Sequence, residues 1–225
     1  MKEVFLIGAL LVVLCVLLWF FSPKLERGFT GAESSWDPPQ VVNDILTPDE
    51  CKYIIEKATP DFSRSAVVGT GVPDASRTSE TAWISKDDPV ARKIFAKALE
   101  LTGKTIDECE DLQVVRYEPG TFYRAHHDAC CDGTQGCIDF EKDGGQRVGT
   151  LLVYLNSEFT DGETHFPDCD GGIKLKADPG SAIFFRPLGT DEPKCHPKAL
   201  HAGLPISSGV KYVCNAWIRE NKFRP

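Results

Sequence analysis

Residues 113–128 read QVVRYEPGTFYRAHHD. The run opens with β-branched residues, breaks at a Pro-Gly pair and closes in a second extended segment ending His126-His127-Asp128. This is the signature of short strands separated by turns. The same texture continues downstream. Residues 147–155, 172–175, 181–185 and 210–218 each carry apolar or β-branched runs bounded by Gly, Pro or Asp. Upstream the pattern is helical. Thr47-Pro48-Asp49-Glu50 combines a capping threonine, a proline suited to the first turn and a glutamate placed to close a capping box. That predicts a helix to about Lys57. Residues 62–84 look extended, with a loop at 69–71. A second helix follows Ser85, with Val90, Ala91, Ile94, Phe95, Ala98 and Leu101 at helical spacing and Gly103 at its end. Helices first and strands afterwards, without βα alternation, predict an α+β, mainly β chain: an antiparallel sandwich or barrel with N-terminal helices packed on one face.

The chain has 225 residues, with 25 Lys+Arg against 33 Asp+Glu and a formal net charge of -8. It lacks the excess of cations needed to displace counterions from phosphate, which argues against nucleic acid as a partner. Residues 4–21 carry no charge and no proline; as a helix they would span roughly 27 Å. They predict an N-terminal membrane anchor over 1–22, with a cleaved signal peptide as the alternative. A polar linker over 23–40 and a globular domain over 41–225 complete the expected organisation. Of nine cysteines, Cys15 falls in the apolar run. The remaining eight, an even number beside a membrane signal, suggest an oxidising lumen with disulfides whose pairing the sequence does not assign. The expected location is therefore the endoplasmic reticulum or Golgi membrane, single-pass, with the domain in the lumen. Zinc on Cys130, Cys131 and Cys137 is the alternative use of those sulfurs.

Residues two apart in an extended chain share a face, so His126 and Asp128 can converge on one ion while His127 points away. A third ligand must come from another strand, with His165, His196 and His201 as candidates. Two imidazoles and one carboxylate on one face leave coordination positions open, the donor set used by non-haem Fe(II) oxygenases. Lys211, on a predicted strand, adds a cation that would be costly to bury without an anion.

Six blocks then point one way: RTSETAW from Arg77, QVVRYEPGTFYRAHHD from Gln113, GGQRVGTLLVYLN from Gly144, DGETHFP from Asp161, ADPGSAIFF from Ala177 and LHAGLPISSGVKYVCNAWIRE from Leu200. In their order and residues they resemble the prolyl 4-hydroxylase branch of the Fe(II)/2-oxoglutarate dioxygenases, from about residue 41 to residue 221. The resemblance implies a double-stranded β-helix (jelly-roll) core. It implies His126, Asp128 and His201 as iron ligands and Lys211 as partner of the distal carboxylate of 2-oxoglutarate, helped by Tyr117 and Thr164. Tyr123, Arg147, Trp217 and Arg77 fall where the family meets its peptide substrate. It further implies O2 as co-substrate, ascorbate as reductant and a Pro-containing polypeptide as partner, hydroxylated as 2-oxoglutarate is decarboxylated to succinate. A lysyl or other protein target, or an inactive binding module, are the alternatives. The chain departs from the family pattern at ACCDGTQGC after Asp128 and at Leu204, Tyr212 and Arg219.

Overall fold

The computed structural model describes residues 35–67, 72–191 and 194–224. In chain order its regular elements are β1 (Gln40–Val42), α1 (Pro48–Ala58), β2 (Ser63–Arg64), β3 (Glu80–Ile84), α2 (Pro89–Thr102), β4 (Leu112–Tyr117) and β5 (Tyr123–His126). There follow α3 (Gln135–Lys142), β6 (Arg147–Tyr154), β7 (Phe159–Asp161), β8 (Thr164–Phe166), β9 (Ile173–Leu175), β10 (Ala182–Phe185), β11 (His201–Gly203), β12 (Ile206–Gly209) and β13 (Lys211–Arg219). The major sheet has strand order β1-β10-β6-β13-β4-β3-β2, and the minor one β5-β11-β8-β9; β12 and β7 form a two-stranded ribbon. Each of these strand pairings is antiparallel. This is the expected jelly-roll core with helices on one sheet.

The predicted helix signals act as read. Thr47 caps α1 and exchanges both capping-box bonds with Glu50. For α2, the cap is Asp88, whose carboxylate accepts from the Val90 and Ala91 amides at 2.9 and 3.2 Å. Gly103 closes that helix.

The central strands of the major sheet are buried on both faces, and strand alternation sorts their side chains. Val114, Leu151, Val153, Phe184, Cys214, Ala216 and Ile218 join one apolar cluster with Cys51, Ile54, Ala91, Ile94, Phe95 and Ala98 of α1 and α2. Their immediate neighbours Val115, Leu152, Tyr154, Ile183, Phe185 and Val213 point the other way, into a second cluster with Phe166 and Ile206. The helices therefore plug one side of the sheet. The space between the two sheets is left for chemistry.

Ordered packing starts earlier than residue 41. Trp36 stacks on His196 with ring centroids 5.1 Å apart, and its indole donates to the Arg186 carbonyl at 2.7 Å. Among the described residues two disulfides are present, Cys130–Cys137 and Cys131–Cys195. Cys51, Cys109, Cys169 and Cys214 are free and buried. The zinc alternative fails on this point. Cys130, Asp132 and Cys137 are close enough to hold an ion, but the two sulfurs are joined to each other, so no thiolate is available.

The placement in the endoplasmic reticulum or Golgi membrane is corrected. Among the described residues no helix is long and apolar enough to cross a membrane. The longest, α2, has 14 residues, roughly 21 Å against a hydrocarbon core of about 30 Å. The run 4–21 that suggested an anchor lies outside the described residues.

Candidate active site

Four strands bring the site together. His126 ends β5 and His201 begins β11, and the two are direct partners in the minor sheet. Asp128 lies two residues beyond β5. The histidine Nε2 atoms sit 3.7 and 3.8 Å from the two Asp128 oxygens, and the three donor atoms lie within 4.8 Å of one another. The spacing argument is realised: His126 and Asp128 converge, and His127 does not join them. His165 is half-exposed on β8 and His196 is stacked on Trp36; neither belongs to the cluster.

The donor chemistry fits a divalent cation. The Nδ1 of His126 faces the Arg124 carbonyl at 2.8 Å and that of His201 faces the Ala199 carbonyl at 3.0 Å. Each Nδ1 therefore carries the proton, and each Nε2 turns a lone pair toward the common point. Burial pushes the His201 imidazole down to about 4, with the neighbouring His126 adding to the effect, so it is neutral and able to ligate. Burial opposes ionisation of Asp128, but His201, His126 and Arg147 outweigh it and hold the carboxyl well below the usual carboxylate range. Asp128 Oδ2 is fixed by two donors, the Thr150 hydroxyl at 2.7 Å and the Trp217 indole at 3.1 Å. Those donors come from partnered positions of β6 and β13.

Lys211 opens the same strand as Trp217, six residues earlier, and faces the same cavity. It is 2% exposed. Its ammonium donates to the Gly162 carbonyl at 2.7 Å and otherwise looks onto the rings of Tyr154 and Tyr117 at 4.9 and 5.2 Å. Among the described residues no carboxylate forms an ion pair with it. Burial, with Lys176 adding repulsion, pushes it down to about 7. Gly162 brings its carbonyl so near only because it has no side chain: at φ +75° a Cβ there would come within 2.4 Å of Ile206. Thr164 and Tyr117 line the cavity beside Lys211. Thr164 shares a 2.8 Å hydrogen bond with the Tyr154 hydroxyl. Burial raises the Tyr117 phenol, which keeps its proton for donation.

The four expected substrate residues surround the metal ligands, each already engaged. The Tyr123 ring stacks on His126 at 3.5 Å. Arg77 lies over the Tyr123 ring, 4.6 Å from its centroid, and donates to the Ala66 carbonyl and Gln113 at 3.0 Å each. Arg147 is buried, 3.4 Å from the Trp217 ring centroid. It grips Glu110 with two bonds of 2.6 and 2.8 Å. Arg219 takes the same carboxylate at 2.7 Å.

Sequence reading missed Thr150, Tyr154 and Glu110. The first two carried a signal: along β6, residues 150, 152 and 154 share the face that looks toward the cavity, so a threonine amid apolar residues there marks a polar task. Glu110 lies outside any strand and gave none.

These features agree with comparison to known proteins. The sequence profile of the 2OG-Fe(II) oxygenase superfamily matches residues 112–219. A protein of Acanthamoeba polyphaga mimivirus whose name proposes a prolyl 4-hydroxylase is 40% identical over 200 residues, 89% of this chain and 81% of its own. The chain belongs to the 2-oxoglutarate- and Fe(II)-dependent oxygenases, in the prolyl 4-hydroxylase branch. Prolyl 4-hydroxylase 1 of Arabidopsis thaliana is 34% identical over 205 residues, covering 83% of this chain and 70% of that protein. Among solved structures, the viral collagen prolyl hydroxylase of Paramecium Bursaria Chlorella virus-1, as its 2OG complex, superposes with TM-score 0.61 at 30% identity. That match covers 81% of this chain and 96% of the other. Membership in the prolyl 4-hydroxylases makes this chain a dioxygenase that uses Fe(II), 2-oxoglutarate and O2.

Proposed function

We propose that this oxygenase hydroxylates prolyl residues of a polypeptide, to 4-hydroxyproline, with His126, Asp128 and His201 as iron ligands and Lys211 as the anchor for 2-oxoglutarate. The observation that carries the reading is the pairing of a three-donor cluster with a buried, unneutralised ammonium in one cavity. A dicarboxylate that chelates a cation at one end and meets Lys211 at the other satisfies both. Bound Fe(II) would supply the activation of O2, so that 2-oxoglutarate, O2 and a prolyl C–H give succinate, CO2 and hydroxyproline.

The chain's own part is positional. His126 and His201 present fixed lone pairs, and Asp128 is held ionised and unable to rotate by Thr150 and Trp217. Lys211, Tyr117 and Thr164 donate to the distal carboxylate of 2-oxoglutarate. Behind the cavity, Phe166 and Phe185 pack against His201 and the Tyr154 ring lies beside Lys211, an apolar backing to both ends of the site. Tyr123, Arg77, Arg147 and Trp217 shape the mouth through which the prolyl ring enters. Ascorbate is the reductant that would return oxidised iron to the ferrous state between cycles.

The test is turnover of peptide libraries by the purified chain with Fe(II), 2-oxoglutarate and ascorbate, read as a gain of about 16 Da. The expected gain falls on proline and disappears in His126→Ala and His201→Ala. A gain on lysine instead would replace the substrate and keep the chemistry. Failure to bind Fe(II) or 2-oxoglutarate at all would leave a binding module.

A further inference from the structure

The insertion after Asp128 takes no part in the reaction as proposed, yet together with α3, which begins inside it, it walls two clefts that open from the metal cavity. One cleft, of about 580 Å³, shares Arg77 and Trp217 with that cavity and runs between Arg64 and Trp83 on one side and α3 on the other. The second, of about 640 Å³, shares Tyr123 and His126 with it. Helix α3 and its C-cap Asp143 meet the first cleft, the helix through Gly136, Asp139 and Phe140. These positions are spaced i, i+3, i+4, i+7, a single helix face. Cys137 looks away from that face, is buried, and is bonded to Cys130. All four bridged cysteines line the second cleft. Consecutive residues thus fasten the insertion in two directions. Cys130 ties it to α3, and Cys131 ties it to Cys195, in the segment that leads into His201. A helix of 8 residues is too short to hold itself in water; the Cys130–Cys137 bridge fixes its first turn, and Arg219 holds its far end, donating to the Phe140 carbonyl at 2.9 Å and lying over the Phe140 ring.

We propose that the disulfides Cys130–Cys137 and Cys131–Cys195 make the insertion a fixed, specificity-determining wall that selects an extended polypeptide segment with residues on both sides of the target proline. The proposal rests on the reaction proposed above. One cleft opens from the Trp217 side of the metal cavity and the other from the His126 side. A chain whose target residue sits over the metal can extend into both. Free proline or a chain-terminal residue reaches one cleft at most. An extended chain rises about 3.3 Å per residue, so about three residues on each side suffice to engage both walls.

The test compares a peptide of about 15 residues with a central proline to a blocked tripeptide. The enzymes are wild type, Cys130→Ala/Cys137→Ala, Cys131→Ala/Cys195→Ala and Asp139→Trp. Asp139 is an exposed position of the α3 wall, so the added ring narrows the first cleft with both bridges intact. All three variants should lose about tenfold or more in kcat/KM on the long peptide, mainly through KM. Tripeptide turnover and the affinities for Mn(II) and 2-oxoglutarate should stay within about twofold. Equal losses on both peptides, an unchanged long-peptide KM, or a wild type indifferent to length would overturn the proposal. Failure of the underlying reading looks different: no peptide of any length gains oxygen and 2-oxoglutarate does not bind.

Discussion

Lys211 shows how a single buried charge ties affinity to pH. In the free protein its ammonium is held down to about 7 by burial. An arriving carboxylate favours the charged form and raises that value, so binding takes up a proton above pH 7. Affinity for 2-oxoglutarate should therefore be flat below pH 7 and weaken above it, by up to about tenfold per pH unit until the bound form also titrates. Calorimetry with 2-oxoglutarate and Mn(II) across pH 6.5–9 checks this; Lys211→Ala should bind more weakly and lose the slope. At the other end of the cavity, Thr150→Val removes one of the two donors to Asp128 Oδ2 and preserves the shape. We expect metal affinity to fall about 10- to 100-fold, with 2-oxoglutarate affinity for the metal-loaded protein little changed. Titration with Mn(II) followed by electron paramagnetic resonance reads this directly.

The turn before β10 fixes where the first helix meets the sheet. Gly180 accepts from the Ile45 and Leu46 amides at 2.9 and 3.0 Å through its carbonyl. Its φ is +81°, and a Cβ there would lie 2.1 Å from the Leu46 carbonyl oxygen. Gly180→Ala must move the chain ahead of α1, and a loss of more than about 2 kcal/mol is expected in chemical denaturation. The regular elements were largely legible in advance, because α1, α2, β4, β6, β10 and β13 carry caps, periodicity or long apolar runs. Helix α3 was not. Its eight residues hold few apolar positions, and its supports are tertiary: the Cys130–Cys137 bridge and the Arg219 contacts to Phe140, constraints that spacing does not encode. The three-residue strands β7, β8 and β11 were missed for a related reason, whereas β9 falls inside the expected 172–175: pairing across the sheet, not local propensity, makes the others strands.

At the level of the fold, the metal ligands belong to the minor sheet and its exit, while their supports belong to the major one. Thr150 and Trp217 reach across from β6 and β13 to Asp128. A cation bound there links the two sheets in the native state only, so it should stabilise folding by mass action. Stripping metal with a chelator should lower the thermal midpoint, and Mn(II) with 2-oxoglutarate should restore it; at a ligand concentration about 100-fold above Kd the gain is about 2.7 kcal/mol. His201→Ala should show no such shift in calorimetry. The sequence carried the ligand set only in part. His126 and Asp128 follow from two-residue spacing, but the third ligand lies 73 positions beyond Asp128; spacing left His165, His196 and His201 open, the family resemblance pointed to His201, and the pairing of β5 with β11 sets it beside His126.

Strand β13 runs through the middle of the major sheet, and its odd-numbered residues Lys211, Val213, Asn215 and Trp217 all line the cavity. Its even-numbered residues Cys214, Ala216 and Ile218 meet the helices instead. Deleting one codon near its centre would therefore do more than shorten a strand. Downstream of the cut, parity inverts: the indole that steadies the acid would swing into the greasy layer beneath α2, and aliphatic groups would take its place over the reaction chamber. Inside this strand, length changes are tolerable only in steps of two.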